Sequence, residues 1–156
     1  KNRLPKECDS ELILEKIVPI ISERINVWSD IDKMVVDGDI QYFFNIPEYP
    51  KEMLVWKKDP LKLGSSEASV TEQAKENLSL VKNIFEDLKD SDFNVEKLKE
   101  ILFKLAEERG KGNVLWPLRV SLSGKEKSPD PFALSILFGK DESIKRIENA
   151  IKLLSK

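Results

Sequence analysis

Histidine is absent from all 156 residues. With it go the commonest general base, the Ser-His and Cys-His nucleophile pairs, and most nitrogen-ligated zinc sites. Cysteine occurs once, as Cys8, so no internal disulfide can form and a reducing, cytoplasmic compartment is expected. Neither G-x-x-x-x-G-K-[ST] nor G-x-G-x-x-G occurs among the six glycines, which removes the two usual phosphate cradles. No uninterrupted apolar run approaches the length of a bilayer crossing, and no basic-then-apolar stretch opens the chain, so no membrane partner is expected. These absences together lead to a chain that by itself catalyses nothing. It opens on Lys1 rather than methionine, which leads to the expectation of a piece cut from a longer protein.

What is present is charge, 35% of residues, against 40% hydrophobic ones, the balance of a globular domain. The net charge of -2 argues against a nucleic-acid binder when taken as an average. The average conceals an asymmetry: residues 1–60 carry -3, residues 61–108 carry -4 and residues 109–156 carry +5. Salt confines the reach of an exposed charge to roughly 8 Å, so the basic C-terminal third is where an anionic partner is expected to dock.

Apolar spacing is helical throughout. Leu12, Ile13, Ile17, Ile20, Ile21, Ile25 and Trp28 lie near one face of a first helix, capped by Asp9 or Ser10 and kinked at Pro19. A short second helix is expected over residues 30–36, capped by Asp30 and stopped by Gly38, followed by an aromatic packed turn and a short helix around Glu52 to Trp56. The segment DPLKLGSSEA combines Pro60, Gly64 and a serine pair where the periodicity lapses, and is read as the hinge between two domains, residues 1–64 and 65–156. Beyond it come two amphipathic helices forming a hairpin, with Asn94 as cap and Gly110 as stop. Three shorter helices follow, with Pro131 at a favoured first position, Asp141 as a cap, and Ile144, Ile147, Ile151 and Leu154 on one buried side of the last. The fold class is therefore all-α, as two small helical subdomains.

The stretch WPLRVSLSG, then a Ser-Pro loop, then ILFGKDESIKRIENAI resembles the closing segment of bacterial-type glutamyl-tRNA synthetases, class I aminoacyl-tRNA synthetases. That family's pattern there runs W/Q-P-L-R-x-A-L-T-G, T/S-P, L-L-G-K-x-x-x-x-R. Upstream, ISERINVWSDIDKMVVDGDIQYFFNIPEYP is similar to the same family's R-x-x-x-L-x-E/D stretch leading to aromatic residues and Y-P. The resemblance implies the anticodon-binding half of such an enzyme, with the anticodon stem-loop of tRNA(Glu) as partner and the catalytic domain N-terminal to it in the same chain. It also implies a monomer, with no cofactor held here and ATP with Mg used by the parent enzyme. No HIGH-like or KMSKS-like signature occurs.

The resemblance further implies RNA-binding roles for individual residues. Arg24 falls on the family arginine that reads the third anticodon base; a guanidinium offers only donors, which suits the acceptor edge of cytosine. Its alternative is an exposed helix arginine paired with a neighbour such as Glu23. Arg119 matches the arginine of P-L-R-x-A-L and implies contact with a loop base or phosphate, against the alternative of a structural salt bridge between helices. Ser128, before Pro129, brings a hydroxyl that gives and accepts hydrogen bonds; Ser-Pro-Asp-Pro is equally a good helix-start turn. Pro131 falls near the middle anticodon base, where the family often carries leucine, and brings no backbone N–H. Lys125 and Lys127, with Lys140, Lys145 and Arg146, are candidates for phosphate contacts or simply a solvated face. Trp28, Trp56 and Trp116 are assigned to packing, and Phe132 is left between core and site. A helical protein-interaction module, governed by exposed apolar residues, is the rival reading. A free-standing enzyme built on Glu107 and Glu108 fails because adjacent helix residues diverge.

Overall fold

A computed structural model of the chain describes residues 11–23, 28–37, 39–56 and 66–156. The described residues form α-helices and short 3-10 turns and no strand, in agreement with the helical periodicity. Contacts divide the chain into two compact units, residues 1–47 and 48–156. The hinge expected around Gly64 falls outside the described residues.

The first unit holds α1 (Glu11–Ser22), α2 (Trp28–Val36) and a 3-10 turn over Gln41–Phe43. Ile17, Ile21, Ile40, Tyr42 and Phe43 are buried apolar residues among those described in it, with the Tyr42 and Phe43 rings 4.3 Å apart. Pro19 sits inside α1. Asp30 lies in the first turn of α2, two residues past its start, where a carboxylate still favours the helix N-terminus. Arg24, the Gly38 stop and the side chain of Trp28 lie outside the described residues.

Among its described residues the second unit contains 3-10 turns over Lys51–Leu54 and Asp90–Asp92 and five helices: α3 (Glu67–Asp87), α4 (Val95–Arg109), α5 (Lys111–Ser123), α6 (Pro131–Phe138) and α7 (Lys140–Leu154). Local chemistry sets the boundaries. The Ser66 side chain accepts from Ser69 N, that of Asn94 from Lys97 N, and that of Asp130 from both Phe132 N and Ala133 N, filling helix-start donors that have no partner within the helix. Gly110, at φ 90°, breaks the chain direction so that α4 and α5 abut across one residue. For α7 the N-cap is Gly139 rather than Asp141, which instead lies in the first turn.

α5 is the hub, packing against α3, α4, α6, α7 and the Lys51–Leu54 turn. Its buried residues, Asn113, Val114, Pro117, Leu118, Val120, Ser121, Leu122 and Ser123, wrap most of its circumference, as expected of a helix sunk in a core. Pro117 within it cannot donate to the carbonyl of residue 113. The side chain of Asn77, from α3, donates to that Asn113 carbonyl at 2.9 Å, and the Asn77 amide oxygen in turn accepts from Arg109 at 3.1 Å. The proline's missing bond is thus supplied from a neighbouring helix.

Two further cations close helix ends. Arg146, 2% exposed, donates to the Leu122 carbonyl at 2.6 Å and to Glu142 at 2.9 Å, with its guanidinium 3.8 Å from the centre of the Phe138 ring. Lys140 donates to the Leu88 carbonyl, at the end of α3, at 2.6 Å. The buried side of α7 is correspondingly Ser143, Arg146, Ile147, Ala150 and Leu154, rotated from the expected isoleucine face; Ile144 and Ile151 are only partly covered. The reason is that Arg146 has to reach inward to the α5 terminus.

Replacing Asn77 with Leu keeps the volume and strands the Asn113 carbonyl. A loss of about 2 kcal/mol is expected, seen as a fall of roughly 4–8 °C in thermal unfolding. Burial pushes the Tyr49 phenol well above its ordinary pKa, with the Arg146 charge opposing. A raised folded pKa means the unfolded chain ionises first, so this contribution is intact below the unfolded value of 10.0 and falls away as pH climbs beyond it. Denaturant titrations across pH 8 to 11 should show Tyr49→Phe losing less stability in alkali than the parent; identical profiles would contradict the burial argument.

Candidate nucleic-acid interface

One stripe of α5, Gly112, Leu115, Trp116 and Arg119, recurs at helical spacing and lines a cavity of about 500 Å3. The opposite walls come from Trp56, from Phe103 of α4, and from Asp130, Pro131 and Phe132 at the start of α6. Aromatic rings dominate it. Trp56 and Trp116 are 4.9 Å apart, and Trp116 is fixed by its indole N–H donating to the Met53 carbonyl at 2.8 Å. Phe103 meets Phe132 edge-on at 5.4 Å, and Phe103 itself is 36% exposed.

Gly112 explains how Trp56 comes so near. A Cβ there would lie 2.3 Å from the Trp56 indole nitrogen, inside any real contact distance, so the absent side chain is what lets the ring lie against α5.

Cations gather on this rim. Lys111 stands 5.3 Å from the centre of the Phe103 ring and Lys99 5.9 Å from that of Phe132, both within cation–π range. Arg119 is half-buried in the wall. Among the described residues, Lys99, Lys111 and Arg119 have no carboxylate within salt-bridge distance. Nearby lysines behave otherwise: Lys97 and Lys104 both pair with Glu100 at 3.0 and 3.2 Å, and together their hydrogen bonds hold the Glu100 carboxyl below its usual range.

Asp130 also faces the cavity. One of its oxygens accepts from Phe132 N at 3.0 Å and Ala133 N at 2.9 Å. The other makes no hydrogen bond among the described residues. Asp130 and Arg119 thus share one pocket without pairing to each other.

The structure brings Arg119 and Pro131 together in this cavity. Ser128 lies beside it but is buried, its hydroxyl 3.1 Å from Ser123 Oγ and 3.2 Å from the Pro129 carbonyl. Ser123 Oγ also accepts from Lys125 N at 3.1 Å, so the hydroxyl pair stitches the α5–α6 loop. Lys127 is exposed on that loop and Lys125 partly so. Lys140 and Arg146 are turned inward as helix-end caps, a correction to their reading as phosphate contacts or a solvated face. Trp56 and Trp116 pack, as expected, yet they also form cavity wall. Lys99, Lys111, Phe103 and Asp130 join the site although no sequence motif marks them. Only the i, i+4 spacing of Lys99 and Phe103 on α4 hints that both share a face.

Apolar walls with a few convergent polar groups describe a binding pocket. The geometry defines a helical binding module. Residues 3–151 match the family described as "Anticodon binding domain", and the chain belongs to that family. It is 33% identical to a glutamate–tRNA ligase of Clostridium acetobutylicum over 92% of the chain, and 32% identical to one of Clostridium botulinum strain Eklund 17B over 99%. The chain spans 27% and 29% of the length of those two relatives. A crystal structure of glutamate-tRNA synthetase from Elizabethkingia anophelis matches 92% of the chain and 24% of its own, with a TM-score of 0.58 and 28% identity.

Gly112→Ala tests the wall. Alanine favours a helix interior by about 1 kcal/mol over glycine, so a variant free of collision should gain stability. The expected result is instead no gain, with a changed tryptophan emission as Trp56 leaves Trp116.

Proposed function

We propose that the chain recognises the anticodon stem-loop of tRNA(Glu) as the RNA-reading part of a glutamate–tRNA ligase. The observation that carries this reading is the aromatic pocket rimmed by Lys99, Lys111 and Arg119, cations with no carboxylate within salt-bridge distance among the described residues. Single-stranded RNA bases are read when splayed from the stack, against aromatic faces and guanidinium groups. Membership of the family supplies the partner class, and the similarity to glutamate–tRNA ligases supplies the choice of tRNA.

In this reading Arg119 donates to a base or phosphate, Pro131 offers an apolar contact at the pocket edge, and Ser128 holds the presenting loop in shape. Lys125 and Lys127 extend the phosphate track from the same loop. Arg24, outside the described residues, remains the proposed reader of the third anticodon base. Aminoacylation, with its ATP, magnesium and glutamate, belongs to the portion of such a ligase that the chain does not span. Among the described residues no group of three or more Cys, Asp or Glu is placed to hold a metal ion, and no helix is long and apolar enough to cross a membrane.

The test is binding of the anticodon stem-loop followed against salt. Each phosphate contact to single-stranded RNA contributes about 0.7 to the slope of log K against log salt. Lys99→Ala and Lys111→Ala should each flatten the slope by about that amount, while Arg119→Gln should weaken binding by roughly tenfold or more. Undiminished affinity and slope in all three variants would reject the pocket as the RNA-facing surface.

A further inference from the structure

Resting on the reading above, we infer that Ser123 is a positioning residue: its buried hydroxyl closes the loop between α5 and α6 into a ring that holds Lys127 ready for an RNA phosphate. Ser123 is 1% exposed. Its Oγ lies 2.9 Å from the Arg119 carbonyl and 3.2 Å from that of Lys125, accepts from Lys125 N at 3.1 Å, and stands 3.1 Å from Ser128 Oγ. A hydroxyl has one proton and two lone pairs, so these contacts use all of it.

A helical serine commonly returns its hydroxyl to the carbonyl four residues back. Ser22, Ser79, Ser135 and Ser155 do so, and their hydroxyls make no other hydrogen bond. Ser123 adds attachments to the loop that follows it, at Lys125 and at Ser128, one on each side of Lys127. That loop leaves α5 through Gly124, in the left-handed region at φ 65°. The helix end it hangs from is itself held, because Arg146 donates to the Leu122 carbonyl at 2.6 Å. Lys127 is exposed and has no ion-pair partner among the described residues. On an untethered loop both the backbone and the side chain of such a lysine would have to be ordered when RNA binds. Here the backbone is already ordered in the folded chain, which leaves only the side chain to immobilise on association.

A double-mutant cycle separates this role from a purely structural one. The probe is the anticodon stem-loop RNA of tRNA(Glu), bound to the full chain and followed by fluorescence anisotropy against salt, well below the unfolding temperature of each variant. Lys127→Ala should flatten the slope of log K against log salt by about 0.7. Ser123→Ala should weaken binding roughly threefold to tenfold, the scale of one group that must be ordered on association, and Ser123→Thr, which keeps the hydroxyl, should restore it. In Ser123→Ala combined with Lys127→Ala the loss should match that of Lys127→Ala alone within about twofold, since the ring acts through the lysine it carries. Ser123→Cys keeps the volume but hydrogen-bonds only weakly, and serves in place of alanine if that variant folds poorly. Losses that simply add, a variant lacking the hydroxyl that binds as the parent does, failure of threonine to restore binding, or an unchanged slope in Lys127→Ala would overturn the role of Ser123 and leave RNA recognition standing. A parent that binds no stem-loop would overturn the function itself and this inference with it.

Discussion

The central helix of the second unit, α5, depends on one displaced hydrogen bond. Pro117 cannot donate to the carbonyl four residues back, and an unsatisfied buried carbonyl costs about 1–3 kcal/mol. The Asn77 amide meets that carbonyl at 2.9 Å, which joins α3 to α5 at a fixed height and, through Arg109, draws in the end of α4. With three helices pinned at one level, α5 can be buried over most of its circumference and still turn one stripe to the cavity. That stripe carries Trp116 and Arg119. The position of Arg119 in the cavity wall thus follows from where a proline interrupts a core helix and which side chain answers it.

Two populations of cation with different physics stand out in the second unit. Arg146 and Lys140 sit on orphan carbonyls at the ends of α5 and α3, where a cation satisfies the backbone and complements the helix dipole. Burial lowers the pKa of the Arg146 guanidinium, and its bond to Glu142 works against that shift. Such groups are committed to the fold and unavailable to phosphates. Lys99, Lys111 and Arg119 form the second population, held over rings or in a wall with no ion-pair partner among the described residues. Counting charge by segment cannot separate the two, because the sign of a side chain says nothing about which way its helix is rotated.

Local signals are legible in the amino-acid order itself. The cap at Asn94, the first-position Pro131 and the stop at Gly110 each rest on chemistry within a few residues, and each appears where expected, whereas the cap expected at Asp141 is taken by Gly139. The last helix illustrates the limit. Isoleucine spacing alone places Ile144 and Ile151 in the core, whereas the demand of the Leu122 carbonyl turns Arg146 inward and rotates α7. The pocket is legible only in part: Arg119 and Pro131 come from one stretch of sequence, but Lys99, Phe103 and Trp56 reach it from α4 and from the segment after the Lys51–Leu54 turn. Such a convergence is a property of tertiary packing. Trp56 in particular depends on the missing side chain of Gly112, and a glycine inside a helical pattern reads in sequence only as a weakness.

An arginine and an aspartate facing one apolar cavity without pairing has an energetic logic. In the free chain Arg119 is only half-buried and Asp130 is exposed, so both keep much of their water and the penalty for leaving them unpaired is small, as for surface charges generally. A planar group entering the cavity would remove that water, and each charge would then have to be answered or remain buried and unsatisfied, at about 1–3 kcal/mol. Because Arg119 makes no ion pair with Asp130, neither charge cancels the other at the cavity wall.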